Sequence, residues 1–211
     1  MVERWDIVTI GNISRNRYWG EGDDKAYRSA ICTCTLLTLE DGKRVLVDPS
    51  LADEAAMRTE LGRRTGVLPE DITAVFLTHE HGDHHFGLKH FAHARWLAAP
   101  PVAEALGTGG QYGDKKVEAV EGRLFDALDV VPTPGHTLSH HSLRFDCEGQ
   151  AVIIAADAAM TRDFWRDRRG YFNSADQELA TRTIEHLMTL ADVVVPGHDN
   201  YFQNPRKAAL V

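Results

Sequence analysis

Short apolar runs with alternating or continuous character are separated along this chain by longer stretches with helical spacing. Trp5 to Ile10 reads as a first strand. Ile31 to Leu39 and Arg44 to Val47 read as two more, joined at Asp41-Gly42, a hairpin signal. Ala74-Val75-Phe76-Leu77-Thr78 predicts a buried strand, and Ala94 to Ala98 another. Between them, Ala52 to Arg64 predicts a helix closed by Gly66, with Pro69-Glu70-Asp71 leading into the next strand. Phe86 to Phe91 and Pro100 to Leu106 predict short helices. The second half repeats the plan weakly, with strands expected near Val117–Val120, Leu128–Pro132, Ser142–Phe145, Ala151–Ala156 and Val193–Val195. A long helix precedes the last of these. Leu179, Ile184, Leu187, Met188 and Ala191 form its apolar face, and Ser174 with Gln177 fits a capping box.

Two stretches break the pattern. Gly11 to Arg28 is polar and aromatic and predicts a long loop, as does Thr108 to Gly113, whose glycines complete no phosphate-loop motif. The segment 162–169 is the most basic part of the chain. It reads either as a pocket wall that attracts an anion or as a solvated helix with Asp–Arg pairs.

Composition narrows the classes. A chain of 211 residues has ample material for a core, and a single domain over 1–211 is expected. The formal charge of -8 argues against a nucleic-acid or membrane-surface binder. The first residues carry no apolar signal region, and no apolar run is long enough to span a membrane. Three cysteines are too few for a disulfide framework, so a soluble cytoplasmic protein is expected. Cys32 and Cys34 face one side of their strand and read as small buried side chains.

The densest chemistry lies in Thr78-His79-Glu80-His81-Gly82-Asp83-His84-His85. His79, His81, Asp83 and His84 stand at offsets 0, 2, 4 and 5 where a strand ends. Gly82 is expected to turn the backbone so that the side chains converge. Neutral imidazole and ionised carboxylate are ligands for first-row divalent metals. His85, His90, His93 and His186 read as packing or surface residues.

His79-x-His81-x-Asp83-His84 resembles the HxHxDH signature of the metallo-β-lactamase-fold hydrolases. The family's remaining donors, a His, an Asp and a His in that order, are matched by His136 in Thr133-Pro134-Gly135-His136, by Asp157 after Ile153-Ile154-Ala155-Ala156, and by His198 after Val195-Pro196-Gly197. The resemblance covers nearly the whole chain. It implies an α/β (α+β) fold, a four-layer αββα sandwich. It assigns one metal to His79, His81 and His136, a second to Asp83, His84 and His198, and a bridging role to Asp157. It gives Asp48 the task of accepting hydrogen bonds that orient the ligand loop. The absence of a thiolate suits two zinc ions, with iron or manganese as alternatives.

The resemblance implies a hydrolase in which hydroxide between two divalent metals cleaves an ester, thioester or lactone of a small molecule. Asp83 is the catalytic candidate, orienting that hydroxide and later carrying its proton. Two divalent cations, two carboxylates and one hydroxide leave a net charge of about +1, which favours an anionic substrate. Alternatives are a phosphodiesterase or nuclease of the same fold and a mononuclear-iron oxygenase similar to the persulfide dioxygenases. The ligand set is that of glyoxalase II, and the short chain is similar to small, single-domain members. A lactonase-like Tyr directly after the bridging Asp is missing, with Tyr171 the nearest substitute. Tyr18, Trp19, Trp165 and Tyr171 are candidate substrate contacts, and Asn200 to Phe202 is a candidate pocket edge. The oligomeric state is open, a homodimer included.

Overall fold

The computed structural model describes residues 1–107 and 112–205, so Thr108–Gln111 of the predicted connection lies outside the described residues. Among the described residues, twelve strands form two six-stranded sheets. The first sheet holds β1 (Val2–Thr9), β2 (Cys34–Leu39), β3 (Arg44–Val47), β4 (Ala74–Leu77), β5 (Arg95–Ala98) and β6 (Glu118–Ala119), neighbours in that order. The second runs in order β7 (Arg123–Leu124), β8 (Leu128–Pro132), β9 (His141–Cys147), β10 (Gln150–Ala156), β11 (Val193–Pro196) and β12 (Phe202–Gln203). Each sheet is mixed: β3, β4, β5 and β6 pair in parallel, as do β10 and β11, while the other pairs are antiparallel.

The period of two explains the layering. Phe76 of β4 points into a core shared by both sheets, with Leu37, Val47, Leu143, Phe145 and Ile154. Its neighbours Val75 and Leu77 point the other way, onto Met57 and Leu61 of α1 (Glu54–Thr65). In the second sheet, Val152 and Ile154 face the shared core. Ile153 and Ala155 face Ile184, Leu187 and Met188 of the long helix Gln177–Leu190. Strands buried on both faces read as continuous apolar runs, which is why β4 shows no polar position and β10 only its exposed first residue, Gln150. The result is the αββα arrangement.

Local details depart from expectation in places. The strand β1 starts at Val2 rather than Trp5, and β2 starts at Cys34, its leading residues contributing only an isolated Asn12–Ile31 bridge. The predicted helix over Phe86–Phe91 is a 3-10 turn at Leu88–Phe91, preceded by one helical turn, α2 (Gly82–His85). Two further helices, α3 (Pro100–Gly107) and the short α4 (Arg162–Arg166), precede the long one, α5. The cap of α5 is Asp176, whose carboxylate accepts from the Leu179 N–H at 2.8 Å, not Ser174. A carboxylate is the stronger partner for the positive helix end, and Gln177 is instead turned to donate to the Gly170 carbonyl at 3.0 Å.

Candidate metal centre

The donors sit at the ends of strands on one rim of the two sheets. The turn that carries His79, His81, Asp83 and His84 follows β4, and Asp157 follows β10 directly. His198 follows β11, and His136 lies between β8 and β9. Gly82 has no positive φ, so its role differs from the expected one. It opens a helical turn where a Cβ would stand 2.8 Å from the Phe86 ring. The Phe86 ring, half exposed, bounds the space there, and backbone freedom plays no part. Gly197 acts likewise, since a Cβ on it would lie 1.9 Å from Asp157 Oδ1. Two non-glycine residues beside the donors hold left-handed φ, Asp48 at 52° and Ala156 at 44°. Backbone strain of this kind persists where the surroundings over-determine it.

His79, His81, His136 and Asp157 bring one donor atom each within 4.8 Å of one another, and so do Asp83, His84 and His198. Around the first set, His136 Nε2 lies 2.9 Å from His81 Nδ1, and His79 Nε2 lies 3.2 Å from it. Asp157 Oδ2 is 3.1 Å from His136 Nε2 and 3.7 Å from His79 Nε2. Around the second, Asp157 Oδ1 is 3.2 Å from both His84 Nε2 and His198 Nε2, and Asp83 Oδ2 is 3.5 Å from His198 Nε2. Four tetrahedral donors about 2.0–2.1 Å from a common centre stand about 3.3–3.4 Å apart. The observed separations bracket that edge.

The proton inventory also fits cations. Asp48 accepts from the Thr78 N–H at 2.9 Å and the Thr78 hydroxyl at 2.7 Å. With its proton on Asp48, the Thr78 oxygen accepts from His79 Nδ1–H at 3.1 Å. Asp48 also accepts from His84 Nδ1–H at 2.8 Å. His198 Nδ1–H donates to the carbonyls of Asn12 and Ile31, both at 3.0 Å. Each of these rings therefore turns a bare Nε2 lone pair toward the cluster, the usual way a donor's orientation is fixed around a metal. His84 Nε2 and Asp157 Oδ1 have no hydrogen-bond partner although both are buried. Lone pairs facing a carboxylate at these distances repel unless a cation or proton lies between them.

The electrostatics agree. Burial, reinforced by neighbouring imidazoles, holds His79 well below the ordinary histidine range. Burial opposes charge on His84 as well, but the Asp157 and Asp48 carboxylates outweigh it and hold His84 well above that range. His198 is raised too, against burial, chiefly by Asp157. Asp157 is held well below the carboxylate range because His198, His84 and His136 outweigh its burial. Both directions on His84 and His198 favour positive charge between these rings and Asp157.

A cavity of about 170 Å³ opens beside these donors. His81, Asp83, His136, Asp157 and His198 form its floor, and Arg15, Met160, Tyr171, Phe172 and Asn173 are among its walls. Of the four predicted substrate contacts, only Tyr171 lines it. Tyr18 packs edge-on against Phe164 at 5.1 Å, and Trp19 is 59% exposed beneath the Arg28 guanidinium. Trp165 is buried in the outer core of the second sheet, edge-on to Phe202, because its helix turns that face inward. Asn200, Tyr201 and Phe202 do not line this cavity, and Tyr201 packs edge-on against Trp5. Arg162 and Arg166 of the basic segment border a different surface cavity. Arg15 carried no signal in the sequence, since an arginine in an aperiodic loop looks like any other surface charge. Also unforeseen is His140, buried against the His79 ring at 4.9 Å with Nδ1 2.8 Å from the Thr133 hydroxyl. All three cysteines are buried and free, as read for Cys32 and Cys34.

A sequence model of the Metallo-beta-lactamase superfamily matches residues 28–198. The chain belongs to that superfamily. Metallo-beta-lactamase domain-containing protein 1 of Xenopus laevis is 32% identical over 145 residues, covering 65% of this chain and 58% of the relative. An N-acyl homoserine lactonase of Bacillus cereus is 27% identical over 164 residues, covering 72% of this chain and 65% of the relative. The chain thus spans less than two thirds of the length of these relatives. The crystal structure of a quorum-quenching N-acyl homoserine lactone lactonase superposes with a TM-score of 0.73 at 22% identity, covering 96% of this chain and 99% of the other. Among the described residues no helix is long and apolar enough to cross a membrane.

Proposed function

We propose that this superfamily member is a two-metal hydrolase that cleaves a carboxylic ester, thioester or lactone of a small molecule. The observation that carries the reading is the placement of Asp157. Its Oδ2 faces His79 and His136, and its Oδ1 faces His84 and His198. One carboxylate between two donor sets suits a pair of cations. When bound, such ions polarise a carbonyl and lower the pKa of bound water from 15.7 to about 7. Five imidazoles and two carboxylates, without a thiolate, suit zinc and also iron or manganese.

The chain's own groups supply the rest. His79, His81 and His136 would hold one ion, and Asp83, His84 and His198 the other. Asp48 keeps the Nε2 lone pair of His84 aimed inward. Asp83 is the more exposed of the two carboxylates, at 19% against 4%, and it lines the cavity. It is the group that takes a proton from the attacking water and returns it to the leaving oxygen or sulfur. Burial pushes the Tyr171 phenol up to about 12, so at neutral pH its O–H donates to a substrate oxygen. The small cavity, with Ile13, Met160, Tyr171 and Phe172 in its walls, supports a compact acyl substrate over a nucleic acid. The name of the Bacillus cereus relative, a lactonase, points the same way.

The test is metal content per chain, by element, on protein purified without added metal, followed by a panel of chromogenic esters, thioesters, lactones and phosphodiesters. About two zinc per chain and turnover of the first three classes are expected. Turnover of phosphodiesters alone would reverse the substrate class, and a single iron would favour oxygen chemistry. Asp157→Ala is expected to lose both metal and turnover. Full metal content in that variant would remove the bridging assignment.

A further inference from the structure

The loop 11–28 brings three arginines near the cavity, and two of them are neutralised. Arg17 pairs with the Asp23 carboxylate, and Arg28 with that of Glu21. Arg15 lines the cavity and makes no ion pair with a carboxylate among the described residues. Its Nη1 donates to the Asp23 backbone carbonyl, which tethers the side chain, and the single Asp23 carboxylate, hydrogen-bonded to Arg17, faces both guanidinium charges, so one net positive charge remains on this wall. A guanidinium has five N–H donors in a planar fork, so four remain. The opposite side of the centre has the other sign. A groove beyond His81 and His136 is lined by Glu80, Ser139 and Asn173, and the Glu80 carboxylate accepts from the Ser139 and Thr137 hydroxyls.

We propose that Arg15 anchors a carboxylate on the substrate, so that the hydrolysed ester, thioester or lactone carries a free carboxylate a few carbons from the scissile carbonyl. This rests on the hydrolase reading above and adds the substrate's charge and orientation. Arg15 and the donors His81, Asp83, His136, Asp157 and His198 line one cavity of about 170 Å³, a volume that a short acyl chain matches. The fork takes the carboxylate in a bidentate pair. Glu80 repels an anion from the far groove, which leaves that side for the neutral leaving group. In a molecule of net charge -8, the net positive charge that Arg15 and Arg17 keep against the one Asp23 carboxylate lies at the cavity wall and is the local feature that steers an anion inward.

The experiment compares two ligand pairs on the zinc-loaded full chain. The nitrophenyl half-ester of glutaric acid and the nitrophenyl ester of pentanoic acid are compared by kcat/KM. Glutarate and pentanoate are compared by calorimetric binding. Wild type is expected to prefer the glutaric member of each pair, and Arg15→Gln to cut that preference about tenfold. Arg15→Lys, which keeps the charge but not the fork, retains part of it. No preference in wild type, or a preference that survives Arg15→Gln, overturns the proposal. The binding arm separates the two readings. If neither ester turns over but the glutarate preference exists and depends on Arg15, the hydrolase reading fails and the carboxylate anchor stands.

Discussion

Gly197 decides how closely the bridging carboxylate can sit. A methyl group there would overlap Asp157 Oδ1, so Gly197→Ala must push Asp157 away from both donor sets. Metal affinity is expected to fall at least about tenfold, read by competition with a chromogenic chelator. Wild-type affinity in that variant would mean that Asp157 is not needed where it stands. Asp48 works at one remove. Replacing it with Asn takes away the charge that holds His84 Nδ1–H and leaves the Thr78 hydroxyl a weaker acceptor. Affinity of the second site is expected to drop about 10–100-fold while the first changes less, a split visible as two-phase metal release. The donors could be read from sequence because each follows a strand and belongs to a fixed motif. Arg15 could not, because nothing in an aperiodic loop tells which of several arginines turns toward a cavity. Trp165 misled for a related reason: a large aromatic in a basic segment gives no sign of which helix face is inward.

The loop 11–28 is an element without a repeating pattern, and aromatic packing holds it in place. Ile13 clusters with Met160, Phe164 and Tyr171, and partly buried Tyr18 and Phe172 pack against them. The rings of Tyr18 and Tyr171 both meet Phe164 edge-on. This ties the wall that carries Arg15 to α4 and the residues after it. Burial pushes the phenols of Tyr18 and Tyr171 up to about 12 from an ordinary value near 10. The folded state therefore keeps protons that the unfolded state releases between those values. The stabilisation is complete below pH 10 and is lost as pH rises from about 10 toward about 12. Denaturant melts across that window should show the decline, with a shallower slope in Tyr18→Phe and Tyr171→Phe. An unchanged slope in both would mean that these phenols are hydrated in solution. At this scale the sequence was legible where periodicity was strong, as in β4 and α5. It failed at ends and caps: the Ser174–Gln177 spacing fits a capping box, but Asp176 takes the helix end and Gln177 donates to the Gly170 carbonyl.

At the scale of the whole molecule, two sheets share one core and contribute donors to one rim. His79, His81, Asp83 and His84 come from the first sheet's turn, and His136, Asp157 and His198 from the second. Bound ions therefore stabilise the docked sheets over the unfolded chain. Free metal at a thousandfold above the dissociation constant contributes about 4 kcal/mol per site. Chelation is expected to lower the melting temperature on the order of 10 °C, reversibly on adding zinc. An unchanged melting point would mean the centre is already held by packing alone. Phe76→Ala, in the shared core, should cost about 3–5 kcal/mol. The layering came from the family resemblance rather than from periodicity, because strands such as β4, buried on both faces, carry no alternation to show which residues face which layer; the order of strands within each sheet depends on contacts far apart in sequence. The uneven split of donors has a consequence for synthesis. As the chain leaves the ribosome, a turn bearing three imidazoles and a carboxylate emerges well before Asp157 exists. For that interval it is an incomplete chelator, open to whichever divalent ion is most abundant and least discriminating. On the two-metal reading the full donor set would exist only once the second sheet has docked, so metal selection and folding would share a common late step.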